Sequence, residues 1–442
     1  MKKILLILLT ITLFLPLYAQ EAEPAPDEGA LKNWNEGEFY TEDEESELVD
    51  GFEDGLQPKS KVSSGMLRQH FEVGTDIRVG FDNGLIGTGD FFKKKVVIDL
   101  NKMSGSIRDG GLNINADGNG SILYLDILNI KIKEGLWDFG FFVNADGRIN
   151  FNVPKSLFTL ITQGNIYQHS FEGMLSASGG IYANTGLNAS AKYGKLRVGL
   201  KPTLFTPLIF IPKSGITYHL ETEDAVDLTA SGEIIVYYPL NENGSFTGLN
   251  FGFDMSLDGE YALFPPLLDI GGALSRIPLV PATLQNRMKM SMSGMDYYRL
   301  TEDMIMEGEF GKTPDPKFDD PVYDTEPRKV LRPFRFDVYA RYKPFRTEIL
   351  VIRPNMGFSI DGNELKGYFN AGLEIRSTLA RNIVKLYLAT GYEEAIWKHR
   401  LGFAFNVRVF EQFAEFTFQS ENFAGSLSGY GYGLNLGTRF GW

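Results

Sequence analysis

The sequence contains no cysteine among its 442 residues. This excludes disulfide bonds and the lipid-attachment cysteine of a lipoprotein. Long hydrophobic runs are also scarce: after residue 19 no stretch of about eighteen apolar residues occurs, so no membrane-spanning helix is predicted there. The four histidines are far apart, and none lies in a motif with a nucleophile or a second ligand. The sequence therefore predicts no enzyme, no metal site and no cofactor.

Most of the chain carries almost no net charge. The formal charge is −13, yet the segment from Glu21 to Asp54 alone holds fourteen acidic residues and one basic residue, Lys32. The remainder is balanced and has no basic stripe, so no nucleic-acid partner is predicted. The acidic segment is too poor in aliphatic residues to offset the entropy of ordering. We interpret residues 20–65 as a disordered periplasmic tail, which is either a solvated spacer or a docking segment for a periplasmic partner.

The first nineteen residues resemble an export signal. Lys2 and Lys3 precede an apolar run from Ile4 to Leu17, and Ala19 offers a small residue for cleavage. A permanent transmembrane anchor is the alternative, but the run is shorter than the roughly twenty residues of a spanning helix. Residues 1–19 are therefore predicted to be a signal peptide.

Apolar and polar residues alternate repeatedly from Phe71 onward. This two-residue period is typical of strands whose two faces meet different surroundings. The clearest segments are 71–81, 246–257, 336–342, 369–376 and 401–409. Two architectures fit: a soluble β-sandwich and an antiparallel transmembrane β-barrel. For residues 66–442 we predict the barrel, all-β, with about 14 strands and a range of 12 to 16.

The polar faces of these strands favour the barrel. They carry acidic and basic residues within one strand, as expected where opposite charges pair across a lumen. The predicted lumen-lining residues are Asp76, Arg78, Arg335, Asp337, Arg341, Glu374, Arg376, Arg408 and Arg439.

The last strand resembles the closing strand of an outer-membrane barrel. Apolar residues alternate up to a terminal aromatic, which the barrel-assembly machinery of such proteins reads. The residues concerned are Tyr432, Leu434, Leu436, Phe440 and Trp442. The expected location is the bacterial outer membrane, with outer-membrane lipid and the assembly machinery as partners.

Turn signals and one helix interrupt the strands. Glycine with aspartate or asparagine predicts turns at 117–120, 144–147 and 361–363. Pro154 to Gly164 predicts a short helix with an apolar face. Such a helix can enter the lumen, lie at the membrane interface, or pack on neighbouring loops.

Two apolar segments, 202–212 and 261–284, are predicted to be loops. Prolines at 265, 266, 278 and 281 argue against a continuous central strand. Exposed apolar loops often mark a binding surface, so a hydrophobic small molecule is a candidate partner, although the two segments can also bury one another. The candidate ligand-binding residues are Phe205, Leu208, Phe210, Phe264, Leu267, Leu268, Ile270 and Leu274.

The alternation, the helix at 154–164 and the apolar segments together resemble the long-chain fatty-acid transporter type of outer-membrane barrel. The stretches 153–165 and 193–199 also resemble uncharacterised spirochaete and Bacteroidetes outer-membrane barrels. The Asn-Pro-Ala run of the transporter type is missing. The resemblance implies a channel or uptake protein for small hydrophobic or amphipathic molecules. The alternative is a non-conducting structural or surface-interaction barrel.

Overall fold

The computed structural model describes residues 51–53, 57–59, 70–82, 107, 111–163, 169–222, 225–240, 248, 250–301, 320–347, 349–379, 383–407 and 409–441. The first two strands, β1 (Gly51–Glu53) and β2 (Gln57–Lys59), form a small antiparallel hairpin within the segment predicted to be a disordered tail. Within the described residues, no helix has both the length and the apolar character needed to span a membrane.

Long antiparallel strands account for most of the remaining described chain. They are β3 (Phe71–Asp82), β4 (Leu112–Ile132), β5 (Gly135–Val153), β6 (His169–Tyr193), β7 (Leu196–Thr222), β8 (Ala225–Tyr238), β9 (Gly252–Phe264), β10 (Leu268–Val280), β11 (Ala282–Thr301), β12 (Val322–Val330), β13 (Phe334–Tyr342), β14 (Leu350–Asp361), β15 (Lys366–Leu379), β16 (Val384–Glu393), β17 (Ile396–Val407), β18 (Phe410–Ser420) and β19 (Gly431–Gly441). The described helices are α1 (Lys155–Gln163) and α2 (Phe423–Leu427).

Fourteen of these strands close into a ring in the described part of the chain. The order is β3-β4-β5-β6-β7-β9-β10-β13-β14-β15-β16-β17-β18-β19, and β19 pairs back with β3. This register sets Leu434 opposite Val79 and Phe440 opposite Val73. The predicted antiparallel barrel of about 14 strands is therefore confirmed.

The other three long strands branch from the ring at β7. The first part of β7, Leu196–Phe205, pairs with β9, whereas Phe210–Thr222 pairs mainly with β8. β8 pairs with β11, and β11 pairs with β12. We call this branch, from the second half of β7 to β12, the side sheet. It returns to the ring through residues 331–333, which lead into β13.

The two faces of the ring differ sharply in polarity. On β17, Leu401, Phe403 and Phe405 are exposed on the outside and alternate with buried Gly402 and Asn406 on the inside. Other strands repeat this arrangement, with buried charged residues inside and exposed aliphatic or aromatic residues outside. Among the described residues the ring is therefore apolar on its outer wall and polar within.

Two predicted turns are wrong because the interior is polar. Residues 117–120 and 144–147 lie in the middle of β4 and β5, where Asp117 pairs with Arg148 and Asn119 with Asp146. Aspartate and asparagine alternating with glycine indicate a turn in a soluble protein. Here the same side chains point from a continuous strand into the interior. The predicted turn at 361–363 is observed between β14 and β15.

The two predicted apolar loops are also strands. Residues 202–212 lie within β7, and residues 261–284 form the end of β9, the turn 265–267, all of β10 and the start of β11. The prolines are accommodated locally: Pro265 and Pro266 form the turn, Pro278 adjoins a register shift, and Pro281 separates β10 from β11.

The predicted helix is confirmed as α1, which Pro154 precedes. The Ser156 hydroxyl group donates to the Glu172 carbonyl oxygen at 2.6 Å and lies 2.7 Å from the Tyr218 hydroxyl group. Leu157 packs against a small cluster of Ile216, Tyr218 and Ala230. The helix therefore packs on the branch of the sheet that includes the second half of β7.

A glycine on the inner face of the closing strand tests the packing of side chains inside the barrel. Gly437 lies opposite Phe413, and a Cβ atom at position 437 would overlap the Phe413 ring. We expect Gly437→Val to displace the ring and lower the free energy of unfolding by about 1–3 kcal/mol. The measurement is the temperature at which the fast-migrating folded form is lost on a gel. Gly118→Ala is the matched control, because its Cβ would lie 3.5 Å from the nearest atom, the Arg78 carbonyl oxygen. An equal decrease in this temperature for both variants would contradict the close packing of Phe413 against Gly437.

Candidate functional site: a cavity beside bridged walls

A cavity of about 190 Å³ lies inside the barrel. Its lining includes residues of β3 to β7 and β10 on one side, and residues of β13 and of the β14–β15 and β16–β17 turns on the other. Most of the lining groups are charged or amide side chains, joined by Tyr182, Phe210 and Tyr368. We call this space the mouth cavity, because the turns that line it mark one end of the barrel.

An ion pair connects opposite walls beside this cavity. Arg148 on β5 and Glu394, in the turn between β16 and β17, approach to 2.5 Å. In the ring order β16 lies six places from β5, close to the maximum of seven in a ring of fourteen described strands. Burial opposes ionisation of Glu394, but Arg148 and Lys398 outweigh it and hold the pKa of Glu394 below its usual value. The bridge therefore consists of two charged groups.

A second bridge centres on Asp117 of β4. Its carboxylate lies 3.7 Å from Lys398 of β17 and 3.6 Å from Arg78 of β3. The Gln419 amide on β18 also donates to it at 3.1 Å. One carboxylate thus joins four strands on the inner face of the ring.

A third group of bridges lies near the segment that returns from the side sheet, and its first pair joins two ring strands. Arg276 of β10 lies 3.2 Å from Asp146 of β5. Arg332, in the segment that returns from the side sheet, donates to the Asn184 oxygen at 2.7 Å and lies 3.5 Å from Asp254. Its guanidinium carbon is 5.8 Å from the centre of the Phe205 ring. Arg332 therefore fills the junction where β7 leaves β9.

An apolar cluster lies at the same junction. Its members, which we call the branch cluster, are Tyr182, Phe205, Phe210, Tyr237, Ala282, Leu284 and Val330. Tyr182 and Phe205 pack edge to face, with ring centroids 6.2 Å apart. Tyr182 and Phe210 also line the mouth cavity. The cavity therefore has one aromatic wall and several charged walls.

The candidate ligand-binding residues fall into two separate groups. Phe205 and Phe210 are buried in the branch cluster, with partly buried Leu208 between them in the chain. The other five lie at the β9–β10 hairpin, where Phe264 and Ile270 are exposed. Leu268, Ile270 and Leu274 alternate with buried Asp269, Ala273 and Ser275 and so occupy the outer face. The structure does not bring the eight side chains together.

The predicted lumen-lining residues lie largely on the inner face. Arg78, Arg335, Asp337, Arg341, Glu374, Arg376 and Arg439 are buried, and Asp76 is partly buried. Arg335 pairs with Asp337 at 2.6 Å, and Arg341 with Asp269 at 3.1 Å. Arg408 lies outside the described residues.

The predicted assembly residues lie on the outer side of β19. Tyr432, Leu436 and Phe440 are exposed, Leu434 is partly exposed, and Trp442 lies outside the described residues. Recognition by an assembly machine remains a prediction.

One histidine lies beside two hydroxyl groups. His399 contacts Thr390 and Ser426 at 2.9 Å each. The Ser426 hydroxyl group is buried and donates to the Phe423 carbonyl oxygen at 2.6 Å. Its proton is therefore already committed to a backbone acceptor, and these contacts attach α2 to the wall.

The sequence did not identify the bridging residues Asp117, Asp146, Arg148, Arg276, Arg332, Glu394 and Lys398. The first two were hidden within predicted turns. Their two-residue spacing with Asn119 and Arg148 was the signal that a polar strand face was present.

Comparison with known proteins gives structural similarity only. No protein-family model and no curated protein matches the sequence. Among solved structures, the Pseudomonas putida toluene transporter TodX is 10% identical with a TM-score of 0.45, covering 86% of this chain and 91% of that one. A Pseudomonas aeruginosa FadL homologue is 9% identical with a TM-score of 0.41, covering 85% and 91%. At such values the function has to be argued from this chain's own residues.

The Arg148–Glu394 bridge can be tested by a double-mutant cycle. Arg148→Met and Glu394→Gln should each lower the midpoint temperature of unfolding, and the double variant should lose less than the sum. The coupling free energy should be about 1–2 kcal/mol, since the partners are in direct contact and only partly exposed. Arg148→Met combined with Glu421→Gln is the control and should be additive, because Glu421 contacts Asn113 instead. Additivity in the first pair would show that the walls are not coupled through this bridge.

Proposed function

We propose that this protein is an outer-membrane barrel that takes up small hydrophobic or amphipathic molecules through its mouth cavity. The outer wall supports the membrane location. A closed ring leaves no unpaired strand edge, and its exposed aliphatic and aromatic side chains suit contact with hydrocarbon. Buried ion pairs occupy the opposite face, which suits a polar interior.

The lengths of the connections support an orientation. β4–β5, β6–β7 and β9–β10 are joined by two or three residues at one end, where the ring also begins and finishes. The connections that contain α1 and α2 are longer and lie at the other end, together with the short β14–β15 and β16–β17 turns that line the mouth cavity. Outer-membrane barrels have short periplasmic turns and longer extracellular loops. We therefore place the mouth cavity on the extracellular side.

One observation carries the proposed uptake: the mouth cavity joins charged groups to an aromatic wall. Tyr182 and Phe210 supply an apolar surface within a space lined otherwise by ionic and amide groups. An engineered apolar cavity of roughly 150 Å³ accommodates benzene, so about 190 Å³ is sufficient for one aromatic ring with a polar substituent. This combination suits an amphipathic solute better than a simple ion.

The bridges across the barrel favour a second candidate function. Arg148–Glu394 connects nearly opposite walls, and Asp117–Lys398 joins strands four places apart in the ring, as a filled, non-conducting scaffold barrel would require. Planar-bilayer recordings separate the two candidates. Uptake predicts discrete conductance or saturable binding of the solute, whereas a scaffold predicts a silent membrane and no solute binding by correctly folded protein.

The uptake proposal predicts two losses of solute binding. With protein in lipid nanodiscs, 1-naphthol should bind saturably, as measured by its fluorescence. Phe210→Ala should weaken binding about tenfold, because it removes a buried aromatic contact. Asn119→Trp should block binding by filling the cavity, and it leaves every residue of the branch cluster unaltered because Asn119 is not a member.

The control is Ile270→Ser. Ile270 is another candidate ligand-binding residue, but its side chain is exposed on the outer wall, so affinity should not change. Each variant must first migrate as a folded barrel before heating. If Asn119→Trp binds 1-naphthol as well as the unaltered protein, the mouth cavity is not the binding site.

A further inference from the structure

The charges lining the mouth cavity are not evenly matched. It has five cationic side chains, and each has a carboxylate partner: Arg78 and Lys398 share Asp117, Arg148 has Glu394, Arg276 has Asp146 and Arg335 has Asp337. A ligand anion would have to compete with one of these pairs. The existing cations therefore offer no ready anion site.

Two carboxylates of the same lining have no cation at ion-pair distance among the described residues. Asp361 ends β14, Glu364 lies within the β14–β15 turn, and neither forms an ion pair among the described residues. One Asp361 oxygen accepts the Asn363 backbone N–H at 2.8 Å. Burial and the neighbouring Asp361 raise the pKa of Glu364, while Lys366 and Lys213 oppose this from beyond ion-pair distance. A cation placed between the two carboxylates would relieve their mutual repulsion.

Aromatic groups stand beside these carboxylates. Tyr182, Phe210 and Tyr368 line the same cavity. The Tyr368 ring already has the Lys366 ammonium nitrogen 4.9 Å from its centre, which is cation–π distance. Carboxylates next to aromatic faces form a suitable environment for an organic cation with an apolar body.

We infer that the mouth cavity selects small amphipathic amines. The ammonium group contacts Asp361 and Glu364, and the apolar part packs against Tyr182 and Phe210. This inference rests on the proposed function, which assigns the cavity to solute uptake, and it adds the charge of the solute.

Two probes with one skeleton test the inference. 3-Phenylpropylamine and 3-phenylpropan-1-ol differ only in their head groups, and their binding to the full barrel in nanodiscs can be measured by calorimetry. The amine should bind about tenfold more tightly than the alcohol, as expected for one charge-assisted contact. Asp361→Asn with Glu364→Gln should reduce amine affinity to that of the alcohol and leave alcohol affinity unchanged.

Glu172→Gln is the matched control, because Glu172 is an exposed carboxylate that does not line the cavity. It should change neither affinity. The Asp361→Asn change keeps an oxygen that can accept from the Asn363 N–H, so the turn should survive. Migration of the unheated sample checks folding.

The remaining outcomes separate the two proposals. Equal affinity for amine and alcohol, or unchanged amine affinity in the double variant, would overturn the amine inference while leaving solute uptake intact. If neither probe binds the folded barrel, the inference fails together with the proposed function.

Discussion

Closure of the hydrogen-bonded ring between β19 and β3 is the constraint on which the other features depend. Each ring strand has a neighbour on both sides, so successive side chains have only two destinations, the outer wall or the interior. The apolar residues of β17 and β19 go outward, and the charged residues of the same sheet go inward. A one-residue slip in the pairing of β19 would turn its apolar side chains inward and its polar side chains outward. The alternation in the sequence therefore determines the register in which the ring closes.

The polar interior then needs its charges paired. A charged group taken out of water is costly unless an opposite charge or hydrogen bonds replace its solvation. In a narrow ring the nearest partner is often on another wall, as with Arg148 and Glu394 or Lys398 and Asp117. The branch at β7 adds a further requirement, because the sheet divides there. Arg332 and the branch cluster fill that division with a hydrogen bond to Asn184 and an aromatic contact with Phe205.

The sequence predicted the barrel, its approximate strand number and α1, because strand alternation and proline-initiated helices are local signals. It did not predict the side sheet, since pairing between β8 and β11 joins residues far apart in the chain. Its turn rules failed at 117–120 and 144–147, where a polar interior rather than solvent satisfies aspartate and asparagine. Proline was also a wrong indicator of loops. Pro202 and Pro278 lie within strands, so the two apolar segments belong to the sheet. Ion pairs across the ring, such as Arg148 with Glu394, could not be predicted, because no local sequence pattern relates residues so far apart in the chain.

The bridged interior and the carboxylates at the mouth offer different contacts to a solute. Arg148 and Glu394 already pair with each other, whereas Asp361 and Glu364 are partly buried and have no ion-pair partner among the described residues. A solute that brings its own cation to these carboxylates leaves the internal pairs intact, so recognition does not require the walls to separate. Movement of the solute further along the barrel axis, by contrast, requires Arg148 and Glu394 to separate. Their side chains are 26% and 33% exposed, so water can partly replace each partner, and the cost approaches the roughly 1 kcal/mol of a surface pair rather than the several of a buried one. Recognition at the mouth and passage beyond it are thus separate steps, controlled by different residues.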